Sequence, residues 1–132
     1  MWTLTLNSHQ KEELIDITSE IYSLIKSSGI KEGVCFVYVP HTTAGLTINE
    51  NADPSVRIDI LKAFQHLIPA HLNFSHLEGN SPAHIKATLV GSSLAVFIEK
   101  GQLQLGTWQG IFFCEFDGPR RRQVWVKAWP QT

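Results

Sequence analysis

Cysteine is scarce in this chain. Only Cys35 and Cys114 occur among 132 residues, each inside an apolar run (VCFVYV and IFFCEF) and neither in a CxxC pair. That usage excludes a disulfide scaffold and leaves both thiols as core groups. Charge is sparse as well, at 17% against 43% hydrophobic residues, which excludes intrinsic disorder. Neither sign dominates: eleven Lys plus Arg face twelve Asp plus Glu, for a net charge of -1. No general pull toward nucleic acid or an anionic membrane follows from that balance. No apolar stretch approaches the ~18 residues of a transmembrane helix. The opening residues, MWTLTLNSHQKEEL, lack the basic and apolar regions of a secretory signal. Repeats, linkers and low-complexity segments are missing too. The expectation is a soluble, cytoplasmic single domain over residues 1–132, with no nucleic-acid or membrane partner.

Periodicity and punctuation supply the elements. Trp2-Thr3-Leu4-Thr5-Leu6 alternates as a half-buried strand. Leu14, Ile17, Ile21, Leu24 and Ile25 recur at helical spacing between a polar start at Asn7-Ser8 and a stop at Gly29. Residues 34–39 read as a β-branched and aromatic strand ended by Pro40, and residues 46–50 as a second. Asp53-Pro54 opens a helix with an N-cap carboxylate and a first-turn proline; Val56, Ile60, Phe64 and Leu67 form its buried stripe. Residues 70–80 have no clean period and read as a loop, after which Ser81-Pro82 repeats the cap-plus-proline device over a helix to about Val90, stopped at Gly91. Strands follow at 94–98, 102–105, 111–116 and 122–129, with a hairpin-like break at Gly118-Pro119. Strands grouped after helices, rather than alternating with them, make the class α+β.

Polar residues able to carry chemistry concentrate at His41-Thr42-Thr43, between His76 and His84, and at Trp108-Gln109 with Asp117-Gly118-Pro119-Arg120. Imidazole is the commonest metal ligand, and three of them with an open position suit a catalytic Zn²⁺. His76 and His84 frame a Gly79-Asn80 turn and a helix start, an arrangement able to aim two imidazoles at one point with His41 arriving from a strand end. The H-x7-H spacing is no recognised ligand pair, and for any one of these rings solvent or backbone hydrogen bonds are the first account. His9, His66 and His71 are left wholly to that ordinary fate.

Other residues carry two readings each. The helix start at Ser81, with Gly79 and Asn80 before it, can bind an anion through free N–H groups, or Ser81 is simply a cap. Arg120, Arg121 and Arg122 can grip phosphate oxygens or form a solvated basic turn. Asp53 is explained as a helix cap; Glu50 is not, and so is the candidate general base. Trp108 beside Gln109 can stack on a flat heterocycle, or be a core or interface residue.

Three blocks, HTTAGLTINENADPSVRIDI, HLEGNSPAHIKA and GQLQLGTWQGIFFCEFDGPRRR, resemble the signature blocks of the YjbQ-like family in order and separation, and the likeness extends over nearly the whole chain. The resemblance implies two β-sheets packed as a sandwich with two to three helices, assembled as a homotrimer. Trimerisation would also cover apolar strand faces and some of the four Trp. It places the family's histidines on His41, His76 and His84, as ligands of a divalent metal. Asn80, Glu50, Trp108, Gln109, Asp117 and Arg120 fall on its other polar motif positions. Ser81-Pro82 and Phe97-Ile98-Glu99 depart from the family's pattern without touching a candidate ligand.

The family is known as a secondary thiamine-phosphate synthase. The implied reaction joins a pyrimidine diphosphate to a thiazole phosphate with loss of pyrophosphate. Arg120 and the helix start would stabilise the leaving group, Asn80, Ser81 and Gln109 would bind substrate, and Trp108 would stack on a heterocycle. Three imidazoles suit Zn²⁺, whereas pyrophosphate departure is normally assisted by Mg²⁺, an oxygen-seeking ion. Two alternatives follow from that tension. One is a metal-dependent hydrolase with Glu50 as base, the other a non-catalytic trimer that binds a small phosphorylated ligand.

Overall fold

The computed structural model describes residues 1–132. Eleven elements follow one another: β1 (Trp2–Asn7), β2 (Glu13–Asp16), α1 (Thr18–Ser28), β3 (Gly33–Tyr38), β4 (Ala44–Glu50), α2 (Pro54–Leu67), α3 (Ser81–Val90), β5 (Ser93–Glu99), β6 (Gln102–Leu103), β7 (Gln109–Glu115) and β8 (Arg121–Pro130). They form a five-stranded sheet in the order β1-β8-β3-β5-β6 and a three-stranded sheet in the order β2-β7-β4. All pairings are antiparallel. The α+β class and the two-sheet architecture expected from the sequence are what the chain adopts.

Alternation along the strands of the larger sheet decides what it buries. Cys35 and Val37 of β3, Val96 and Ile98 of β5, and Val124 and Val126 of β8 point inward. There they meet Ile21 and Ile25 of α1, Leu46 of β4, and Ile111 and Phe113 of β7. β7 is apolar on both faces because it lies mid-sandwich. Phe112 and Cys114 of β7, with Phe116 beyond it, turn the other way and pack with Leu14 and Ala83 against Ile60, Leu61 and Phe64 of α2. The layers are thus the large sheet, the small sheet, then α2 and α3. Each fully buried Phe in the middle layer contributes about 1.5–3 kcal/mol of transfer free energy. Both thiols are free and buried, and burial pushes Cys35 up to about 11 and Cys114 to about 12.

Three local expectations are corrected. The helix expected from Asn7-Ser8 onward begins only at Thr18, because Glu13–Asp16 pairs with β7, Leu14 opposite Cys114. Asp16 then breaks the strand by accepting from Thr18 N at 3.0 Å and Thr18 Oγ1 at 2.6 Å. The far end of that helix is as expected, with Gly29 left-handed at φ 72°. On α2 the Asp53 cap holds, accepting from Ser55 N at 2.9 Å, but the expected stripe is only half-buried at Val56, Ile60 and Phe64, and Leu67 is 66% exposed. Strand β6 is two residues long, so Gln104 and Leu105 lie beyond it.

α3 lies against β4 closely enough to require a glycine. Leu46 N donates to Gly91 O at 3.0 Å, and a Cβ on Gly45 would stand 2.5 Å from that carbonyl. Val39 N donates to Ser92 O at 2.8 Å, so the end of α3 and the end of β3 are tied at the same place. That junction positions the site.

Candidate functional site

Four chain segments meet where β3 ends and β4 begins. Pro40, His41, Thr42 and Thr43 come from the β3–β4 connection and Asn80 and His84 from the start of α3. His76 and Glu78 come from the preceding loop, Arg120 from the β7–β8 connection and Arg122 from the start of β8. They line an open cleft of about 410 Å³ in which Pro40 is the sole apolar side chain. His84 sits in the first turn of α3, where helix geometry turns it toward the loop. Its ring meets that of His76 edge-on, with centroids 5.3 Å apart at 87°.

Beneath the cleft lies a buried ion pair. Glu115 is fully buried and Arg122 is 3% exposed. Arg122 Nε donates to both carboxylate oxygens at 2.9 and 3.2 Å, and Nη2 reaches Thr43 Oγ1 at 2.8 Å. Ser8 Oγ donates to Glu115 Oε1 at 2.6 Å, and Asp117 N to Oε2 at 3.1 Å. Burial alone would raise the Glu115 carboxyl. Hydrogen bonds from Arg122, Ser8 and Asp117 N–H, with the guanidinium charge, outweigh it and hold the pKa below the ordinary value.

A second network holds the rim. Asp117 Oδ2 accepts from Asn80 Nδ2 at 2.9 Å and from Arg120 Nη2 at 3.0 Å, and Arg120 Nε donates to Asp117 O at 2.8 Å. Asn80 Oδ1 is buried without a partner. His41 Nε2 accepts from Gln123 N at 2.9 Å. Burial, then the Arg122 guanidinium, disfavours the His41 imidazolium and lowers its pKa, against a smaller opposing pull from Glu115.

The cleft therefore gathers His41, His76, His84, Asn80 and Arg120 from the expected set. It does not gather the rest. β4 and β7 pair from Ala44 opposite Glu115 to Glu50 opposite Gln109, so the two ends of that ladder are roughly 20 Å apart. Glu50, Trp108 and Gln109 stand at the far end. Glu50 Oε2 accepts from Ala52 N at 2.9 Å and Gln109 Oε1 from Gly106 N at 2.8 Å, so each also stabilises a turn. Trp108 is 64% exposed at a loop tip. A base at Glu50 acting in its own chain's His cleft is excluded by that distance. Ser81 opens α3 without lining the cleft, and Asn80 occupies the cap position with no side-chain cap bond.

The three imidazoles share a cleft without converging. No three His, Cys, Asp or Glu side chains stand close enough to hold one ion. Among the ligand set, His41 already has one ring nitrogen engaged by a backbone donor. The residues as placed do not fit a three-histidine metal centre.

The sequence does not single out Glu115, and it offers Thr43 only as part of His41-Thr42-Thr43 and Arg122 only as one of a basic run. A readable signal existed: the lone carboxylate of IFFCEF faces the last arginine of PRRR across the Gly118-Pro119 turn.

Fold and cleft define a small two-sheet α+β protein with a polar, imidazole- and guanidinium-lined pocket at the end of its sandwich. The chain matches the family described as UPF0047 protein YjbQ-like over residues 2–131, and it belongs to that family. It is 60% identical to a UPF0047 protein of Methanocaldococcus jannaschii over 122 residues, 92% of this chain and 88% of that one. A solved YjbQ/UPF0047 protein of Clostridium acetobutylicum, described as uncharacterised, superposes with a TM-score of 0.96 at 50% identity, covering 98% of this chain and 100% of the other. A YbjQ-like protein of Sulfolobus solfataricus, described as of unknown function, superposes at 0.94 with 32% identity, covering 98% and 96%. No helix is long and apolar enough to cross a membrane.

Proposed function

We propose that the cleft binds a small phosphorylated heterocycle and that the protein is a transferase of the thiamine-phosphate synthase type. The observation that carries this reading is the lining: three imidazoles, two guanidiniums, a carboxamide and two threonine side chains around one opening, against the single carboxylate of Glu78 and with Pro40 as the only apolar side chain. Such a lining suits phosphate oxygens better than a neutral metabolite.

In the proposed reaction the C–O bond between a pyrimidine methylene and its diphosphate breaks. The electron pair leaves with pyrophosphate, and the thiazole nitrogen bonds to the resulting cation. The protein's work is then charge stabilisation and positioning rather than proton transfer. Arg120, braced by Asp117, faces the leaving oxygens, with His41 and His84 as further donors. A divalent ion accompanying a diphosphate is held chiefly by oxygen ligands and places no demand on imidazole. The hydrolase alternative is less well supported, since its base, Glu50, lies at the other end of the small sheet.

A homotrimer forms part of the proposal. The outer face of the large sheet leaves Phe36, Tyr38, Phe97 and Trp129 from 46% to 68% exposed, and Tyr38 stacks on Trp125 at 5.7 Å. Further copies would cover this aromatic face. The cleft itself offers no Phe, Tyr or Trp side chain to stack on a heterocycle, and an exposed Trp108 from a neighbouring copy would supply one.

The test is a turnover assay with the pyrimidine diphosphate and thiazole phosphate, following thiamine phosphate and pyrophosphate together. Equal formation of both, lost in Arg120→Ala, supports the transferase. Phosphate or pyrophosphate release without the joined product supports the hydrolase. Saturable binding with no product supports the non-catalytic binder.

A further inference from the structure

Strand β8 pairs with β3 from Pro130 opposite Gly33 to Trp125 opposite Tyr38. Extending that register by two residues puts Gln123 opposite Pro40, where the chain turns away into the β3–β4 connection. The Gln123 N–H would face an empty ladder position there. His41 fills it: Nε2 accepts that N–H at 2.9 Å, taking the place of a strand carbonyl. Nδ1 has no protein partner and is not buried, so it is the nitrogen left to the cleft that the ring lines.

A neutral imidazole carries one proton. Since Nε2 accepts, the proton is on Nδ1. We infer that His41 is fixed by the Gln123 backbone as the Nδ1–H tautomer and serves the cleft as a neutral hydrogen-bond donor, not as a metal ligand. Coordination through Nδ1 would move the proton to Nε2, where it would point at the Gln123 N–H. Histidines that bind metals donate their second ring N–H to a carbonyl or carboxylate, and here the second nitrogen meets a donor instead. Arg122, pinned by Glu115 beside the ring, further disfavours a second proton. The natural recipient of the Nδ1–H bond is an anionic oxygen of the phosphorylated substrate, a step that rests on the reading of the preceding section.

The test is long-range ¹H–¹⁵N NMR of ¹⁵N-histidine-labelled wild-type protein at neutral pH, with His41→Gln supplying the assignment. The expected spectrum has a protonated Nδ1 and an unprotonated Nε2, unchanged when Zn²⁺ is added. A proton on Nε2, protons on both nitrogens, or a His41 resonance shifted to a metal-bound value by Zn²⁺ would overturn the inference. Sodium pyrophosphate is then titrated in, and a shift confined to Nδ1 is expected. No response to pyrophosphate would sink the proposed substrate class while leaving the tautomer established.

Discussion

Arg122 and Glu115 form an ion pair with almost no solvent contact, Arg122 at 3% exposure and Glu115 fully buried. The same guanidinium reaches Thr43, so one residue of β8 ties β7 to the segment that carries His41. Such a pair is costly to form and costlier to break, because a single partner left behind is an uncompensated buried charge.

Glu115→Gln should therefore lower unfolding free energy by about 3–5 kcal/mol in urea denaturation. The double variant Glu115→Gln with Arg122→Met should recover a large part of that loss. Equal destabilisation by the single and double variants would mean that packing, not charge, accounts for the effect.

Acid stability follows from the same group. The Glu115 pKa lies below its unfolded value, so its contribution is complete above the ordinary carboxylate range. It is lost as pH falls from that range through the lowered folded pKa. His41 acts with the same sign in a higher window. Its lowered pKa makes the unfolded chain take up the proton first as pH falls below about 6.5. Urea midpoints should decline in two stages on acidification. Glu115→Gln should flatten the lower stage and His41→Gln the upper.

Gly45→Ala should cost about 1–3 kcal/mol, since the new Cβ would meet the Gly91 carbonyl and Val90 Cγ2, each at 2.5 Å. Gly29→Ala meets no neighbour and should cost less, through backbone strain at its φ of 72° alone. Thermal denaturation of the two variants side by side checks the ranking.

Sedimentation equilibrium should give the mass of three chains for the wild type and a smaller species for Phe97→Asp, which puts a charge into the aromatic outer face. A single-chain mass for the wild type would end the trimer reading. If the far-end Trp108 completes a neighbour's cleft, co-refolding inactive Arg120→Ala with inactive Trp108→Ala should restore part of the turnover.

What could be read from sequence was local or periodic. Asp53-Pro54 marks a helix start through its cap bond and the proline's fixed dihedral; Pro82 marks the next through its dihedral, although Asn80 rather than Ser81 stands at the cap, and Gly29 marks a stop just as locally. Alternation in β1 and β3 was equally legible. Glu13–Asp16 was not, because Leu14 suits either a helix stripe or a strand, and only its pairing with Cys114, distant in the chain, selects the strand. The site divides along the same line. The three blocks led to His41, His84 and Arg120, but sequence proximity to functional-looking neighbours could not show that Glu50 and Trp108 stand at the opposite end of the small sheet. Nor could it show that Gln123, 82 residues away, engages His41.

The most direct test of the proposed function is a calorimetric titration of pyrophosphate into the wild type, Arg120→Ala and His84→Ala, each checked for folding by circular dichroism. The account predicts saturable binding by the wild type and a loss of roughly tenfold or more in affinity in each variant. Absence of binding by the wild type, or equal affinity in all three proteins, would contradict it.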